Sequence, residues 1–99
     1  MKIMKKITNN RQAGKQLSPP IGEDTFATTD LGIAAALLTA EFELLNLDKS
    51  DPRKVKFVFS RADGISKVAD DFWSNRLEQR VRSFWDNVKT LKNRLYSND

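Results

Sequence analysis

Residues 70–96 read DDFWSNRLEQRVRSFWDNVKTLKNRLY. They hold both tryptophans, the only tyrosine and two of the six phenylalanines. From Leu77 onward, Leu77, Val81, Phe84, Val88, Leu91 and Leu95 recur at steps of three and four, which is one face of a helix. Arg76, Arg80, Ser83, Asn87, Thr90 and Arg94 fall at the same steps on a neighbouring face. A helix with an aromatic-aliphatic stripe must be covered by something. The rest of the chain has to supply that cover, and the arginines are left to meet a second surface.

Ninety-nine residues make one domain, or one domain with a tail. The hydrophobic share of 39% and the charged share of 30% suit a soluble globular protein. No run approaches the roughly 18–20 apolar residues of a membrane span, so no membrane association is expected. The start, MKIMKKITNN, has positive charge but no apolar stretch after it, so no signal peptide is expected and the default compartment is the cytoplasm.

The chain has no cysteine and no histidine. Disulfides, thiolate nucleophiles, imidazole bases and the usual zinc sites are therefore excluded. The four glycines, Gly14, Gly22, Gly32 and Gly64, are scattered and form no phosphate loop. Three carboxylate pairs remain: Glu41 with Glu43, Asp48 with Asp51, and Asp70 with Asp71. None has further ligands at a spacing that holds a cation, and turn chemistry or a solvated face explains each. The expectation is no enzyme, no cofactor and no metal.

Net charge is +4 with a pI near 9.6. It alternates along the chain: +5 over residues 1–22, −6 over 23–51, +4 over 52–68 and +1 over 69–99. Residues 1–22 are expected to be a basic, flexible arm ending in Ser18-Pro19-Pro20-Ile21-Gly22. Residues 23–99 are expected to be the folded domain.

Within that domain, residues 24–29 read as a strand with Phe26 facing in. Thr28, Thr29 or Asp30 then caps a helix from Leu31 to about Ala40. Its buried stripe is Leu31, Ala34, Ala35 and Leu38, with Leu37 to one side. The run EFELLNL, residues 41–47, leans toward a strand, although Leu44 next to Leu45 breaks the alternation. Asp48-Lys49-Ser50-Asp51-Pro52 is a turn by composition. Residues 54–60, KVKFVFS, are the clearest strand, with Val55, Phe57 and Phe59 on one side and Lys54, Lys56, Val58 and Ser60 on the other. A second helix is expected over 65–75 and a third over 78–97.

The order β-α-β-β-α-α predicts a two-layer α+β domain. Its three-stranded, antiparallel-type sheet has Lys54–Ser60 in the middle. One sheet face, carrying Phe26, Phe42, Leu44, Val55, Phe57 and Phe59, is packed against helices.

Three runs carry a resemblance. They are Phe26-x-Thr28-x-Asp30-Leu31-Gly32-x-Ala34-Ala35-x-Leu37, Lys54-Val55-x-Phe57-Val58-Phe59, and Thr90-Leu91-Lys92-x-Arg94-Leu95-Tyr96. Together, over residues 24–97, they resemble a small bacterial domain of unknown function. The resemblance implies a fold and no activity. The family pattern has a glycine after the first helix, where this chain has Ala40-Glu41.

Two functional expectations follow from residue placement. The first is a nucleic-acid-associated accessory protein that contacts phosphates without reading sequence. Its contacts would be Lys5, Lys6 and Arg11 on the arm, Lys54 and Lys56 on the open sheet face, and Arg76, Arg80 and Arg94 on the closing helix. The alternative is a protein-interaction or self-assembly module, binding a protein partner or a second copy through Trp73, Trp85 and Tyr96. Against both stand a solvated helix face for the arginines and core or edge packing for the tryptophans.

Overall fold

The computed structural model describes residues 24–97. Its elements are β1 (Thr25–Thr28), α1 (Leu31–Thr39), β2 (Leu44–Asp48), β3 (Lys56–Ser60), α2 (Ile65–Trp73) and α3 (Val81–Leu95). The α+β class and the expected element order are both observed. The sheet order is β1-β3-β2, and both pairings are antiparallel. β1 and β2 therefore run parallel to each other on either side of β3, and α1 carries the chain between them. The basic arm with Lys5, Lys6 and Arg11 lies outside the described residues.

β3 sits in the middle because it is the most apolar strand, and a strand paired on both edges is the most shielded. Phe59 lies opposite both Phe26 of β1 and Leu44 of β2. Phe57 lies opposite Thr28 and Leu47. These rows form the inner face of the sheet, and Phe57 and Phe59 are buried. The awkward pair Leu44-Leu45 resolves as a register shift between Leu44 and Asn46. One extra residue, Leu45, is pushed outward, and Leu44 and Leu47 both reach the inner face. Two expected inner-face residues lie beside the strands instead: Phe42 before β2 and Val55 before β3.

Asp30 caps α1. Its Oδ1 accepts from the Ile33 N–H at 3.0 Å, and the Thr28 Oγ1 accepts from the Asp30 N–H at 3.1 Å. Ala34, Ala35, Ala36 and Leu37 are all fully buried. Successive helical residues point about 100° apart, so four in a row close the whole circumference. α1 is thus enclosed on every side, by β1, α2 and α3, and does not have the single buried stripe expected from its sequence. The alanines let those neighbours approach.

Gly32 serves the same purpose at the α1–α2 contact. A Cβ placed there would lie 2.7 Å from Cζ of Phe72. That ring is itself stacked against Phe84 of α3, with centroids 6.3 Å apart. Gly32→Ala is expected to cost about 1–3 kcal/mol through overpacking, against a helix-propensity gain of about 1 kcal/mol. The loss should shrink in a Phe72→Leu background, which a double-mutant cycle of thermal melts would read.

The C-terminus of α1 answers the missing glycine. Glu41 takes the left-handed conformation, φ 72°. Its N–H donates to the Leu38 carbonyl at 2.9 Å, and the Phe42 N–H donates to the Leu37 carbonyl at 3.0 Å. This is a Schellman cap with glutamate where glycine is preferred. Glu41→Gly is expected to stabilise the domain by about 0.5–1 kcal/mol, since relief of left-handed strain exceeds the added chain entropy. A thermal melt should move up by a few degrees; a drop would contradict the cap assignment.

The closing stretch divides in the expected region, but the break is wider, from the end of α2 at Trp73 to the start of α3 at Val81. Asn75 is also left-handed, φ 63°. The Asn75 and Arg76 N–H groups donate to the Phe72 and Asp71 carbonyls, at 3.1 and 2.8 Å, which closes α2 in the same kind of cap. Residues 76–80 are not helical, and α3 begins at Val81 instead of Glu78. No helix of the described residues is long and apolar enough to cross a membrane.

Candidate functional site

α3 is held in place by its inner residues. Val88 and Leu91 are buried, and Phe84 and Leu95 are half-buried against the same core. Asn87 Nδ2 donates to Thr39 Oγ1 at 2.9 Å, and that hydroxyl donates to the Ala35 carbonyl at 2.8 Å. Gln79 Nε2 donates to the Ala36 carbonyl at 2.9 Å. At the far end, Lys49 Nζ donates to the Arg94 and Ser97 carbonyls, at 3.0 and 3.2 Å. A cation there satisfies open carbonyls and complements the helix dipole.

These contacts dissolve the expected arginine stripe. Arg76 lies in the link before α3, with Nη2 3.5 Å from Asp71 Oδ1. Arg80 is the extended N-cap residue of α3 and not part of its helical surface. Asn87, expected beside the arginines, ties α3 to α1. Arg94 remains on α3 and is exposed. Val81, expected in the buried stripe, is 81% exposed because the helix starts there and none of the described residues packs above it.

On the open sheet face, Lys56 stands opposite Asp48. The Asp48 carboxylate is held below its usual range, first by the Ser50 backbone N–H, then by the Ser50 side chain and by Lys56. Lys54 precedes the strand, in a turn where its N–H donates to the Asp51 carbonyl at 2.9 Å.

A different stripe emerges on α3. Arg82, Trp85, Lys89, Lys92 and Tyr96 follow one another at steps of three, four, three and four, and all are exposed. They run for about 21 Å along one side of the helix at 1.5 Å per residue. Trp85 is 52% exposed and Tyr96 79%. Trp85, half covered, keeps the edge position expected of it, whereas Tyr96 stands largely free of the described residues. Trp73, at the end of α2, is 75% exposed. Asp86 is the stripe's acidic neighbour, 3.5 Å from Arg82 Nε and 3.7 Å from Lys89 Nζ. Exposed pairs at such distances hold little energy. Lys92 forms no ion pair among the described residues. Across residues 80–97 there are five cations and one acid, a net charge of +4.

The signal was present in the sequence. The run 82-85-89-92-96 has the same spacing as the arginine stripe, offset by two positions. The arginines drew attention because the three-four spacing carries back to Arg80 and Arg76, whereas α3 starts only at Val81.

Three of the paired carboxylates have local duties. Asp48 and Asp51 accept from the Ser50 and Arg53 N–H groups in the turn, each at 3.0 Å. Asp71 accepts from Lys67 Nζ at 2.7 Å, and this bond, helped by the nearby Arg76, holds its carboxyl below the usual range. Among the described residues, no three acidic side chains converge on a point that could hold a metal. A groove of about 270 Å³ between α2 and α3 is lined by Phe72, Asn75, Leu77, Gln79 and Phe84, none of them titratable.

A family model, described as a domain of unknown function (DUF5659), matches residues 23–97. No curated protein and no solved structure matches the chain.

Proposed function

Taking as premise that the chain belongs to the DUF5659 family of domains of unknown function, we propose that it is a small, non-enzymatic, nucleic-acid-associated protein. It works in the bacterial cytoplasm, and it contacts phosphates through the outer side of α3. The observation that carries this reading is the exposed row Arg82, Lys89 and Lys92, with a single acid beside it. Lysine and arginine neutralise phosphates by displacing condensed counterions, without reading base sequence. The arm of residues 1–22 adds five positive charges and no acid, including Lys5, Lys6 and Arg11. We assign it a supporting electrostatic role beside a single folded domain over residues 23–99.

The test is a fluorescence anisotropy titration against single-stranded and duplex DNA and RNA, each at two salt concentrations. Binding at low salt that weakens steeply at high salt is expected. No binding to any of the four at low salt would end this reading.

A second reading, a protein-interaction or self-assembly module, rests on Trp73, which stands 75% exposed away from the α3 stripe. Large exposed aromatics anchor protein interfaces. Light scattering that finds a stable oligomer unaffected by salt would favour it over the first.

A further inference from the structure

We infer that the α3 stripe takes single-stranded nucleic acid, with bases stacking on Trp85 and Tyr96 between the phosphate contacts. This rests on the phosphate-binding reading above and specifies its ligand. The stripe alternates cation and ring: Arg82, Trp85, Lys89, Lys92, Tyr96. Cations alone would serve any polyanion. The rings restrict the choice, because the π-faces of bases are available only where bases are unpaired. Stacking on an aromatic side chain is the sequence-tolerant way that proteins hold single strands. Trp85 and Tyr96 are separated by about 16 Å along the helix at 1.5 Å per residue. One strand can therefore meet a ring near each end and the two lysines between them.

Charge and geometry disfavour the other occupants. A membrane surface wants the whole apolar face of an amphipathic helix. In α3 that face, Phe84, Val88, Leu91 and Leu95, is already committed to the core. A second copy would bring a like-charged stripe against this one if it paired symmetrically about α3. An acidic protein segment would satisfy the cations but gain little from the rings.

The experiment uses the full chain carrying Trp73→Phe, so that Trp85 is the only tryptophan. Its fluorescence is followed while adding an unstructured single strand, oligo-dT or oligo-rU, then a duplex of equal length, then poly-glutamate. The expected result is quenching of Trp85 by either single strand and weaker binding of the duplex. A Trp85→Leu variant should bind the single strand about 5- to 150-fold more weakly. Its melting curve should be unchanged, because Trp85 is exposed; Trp85→Tyr should restore most of the affinity. If single strand and duplex bind equally with Trp85 silent, the stacking inference is overturned while phosphate binding survives. Equal quenching by poly-glutamate also overturns it. If neither nucleic acid binds at low salt, both readings fall together.

Discussion

Replacing Phe59 by alanine is expected to remove about 3–5 kcal/mol of stability, the usual range for a buried phenylalanine. A domain of this size holds roughly 0.05–0.15 kcal/mol per residue in total. The variant should therefore melt about 15 °C lower or more, or fail to fold. The reason is position. Phe59 is fully buried in the central strand, opposite Phe26 on one side and Leu44 on the other, beneath α1 and α3. No neighbour is free to fill the space, because the buried alanines of α1 hold fixed places. Val81→Ala is the matched control. The periodicity of residues 77–95 puts Val81 in the core, whereas it is 81% exposed at the start of α3. Its replacement should change stability by less than about 0.5 kcal/mol. Two melts, read together, decide whether α3 begins at Val81. A large loss at Val81 would restore the longer helix.

That contrast shows which parts of the fold could be read from the sequence. Strand β3 was legible because alternation is a local property, and Phe57 and Phe59 are both aromatic. Its central place followed from its being the most apolar strand. The α+β class followed from element order. The misread features depend on non-local facts. α1 looked half-buried because alanine is equally acceptable on the buried and the exposed side of a helix; only the approach of three neighbours makes Ala34 to Leu37 a closed core. The left-handed Asn75 had no glycine to announce it, so the helix appeared to run from Glu78. The same applies to Glu41, whose left-handed backbone is likewise not announced by a glycine. Leu45 looked like an error in alternation until the register shift gave it a place.

The placement of the candidate residues was legible only in part. Basic and aromatic residues on the closing helix were expected, and Trp85, Tyr96 and Arg94 lie there. Arg80 was counted on that helix because its start was set at Glu78, and Arg76 because the three-four spacing continues back to it. Lys56 is exposed, as expected, and stands opposite Asp48 of β2. Arg82, Lys89 and Lys92 lie off the arginine stripe and received no role from the sequence. Their value comes from sharing one side of α3 with two exposed rings, and that is visible only once the buried side of α3 is fixed.

The central claim is that this side of α3 meets phosphates, and the variant that addresses it carries Arg82→Gln, Lys89→Gln and Lys92→Gln together. All three side chains are exposed, and the pairs lost with Asp86 are weak. The fold should be retained within about 0.5 kcal/mol per site. The measurement is the slope of log affinity against log salt for a single-stranded oligonucleotide, in the parent chain and in this variant. Each phosphate contact on a single strand contributes about −0.7 to that slope. The variant's slope should be shallower by about 2, with much weaker binding at low salt. An unchanged slope and affinity, in a variant that melts like the parent, would contradict the claim and place any nucleic-acid contact elsewhere on the chain.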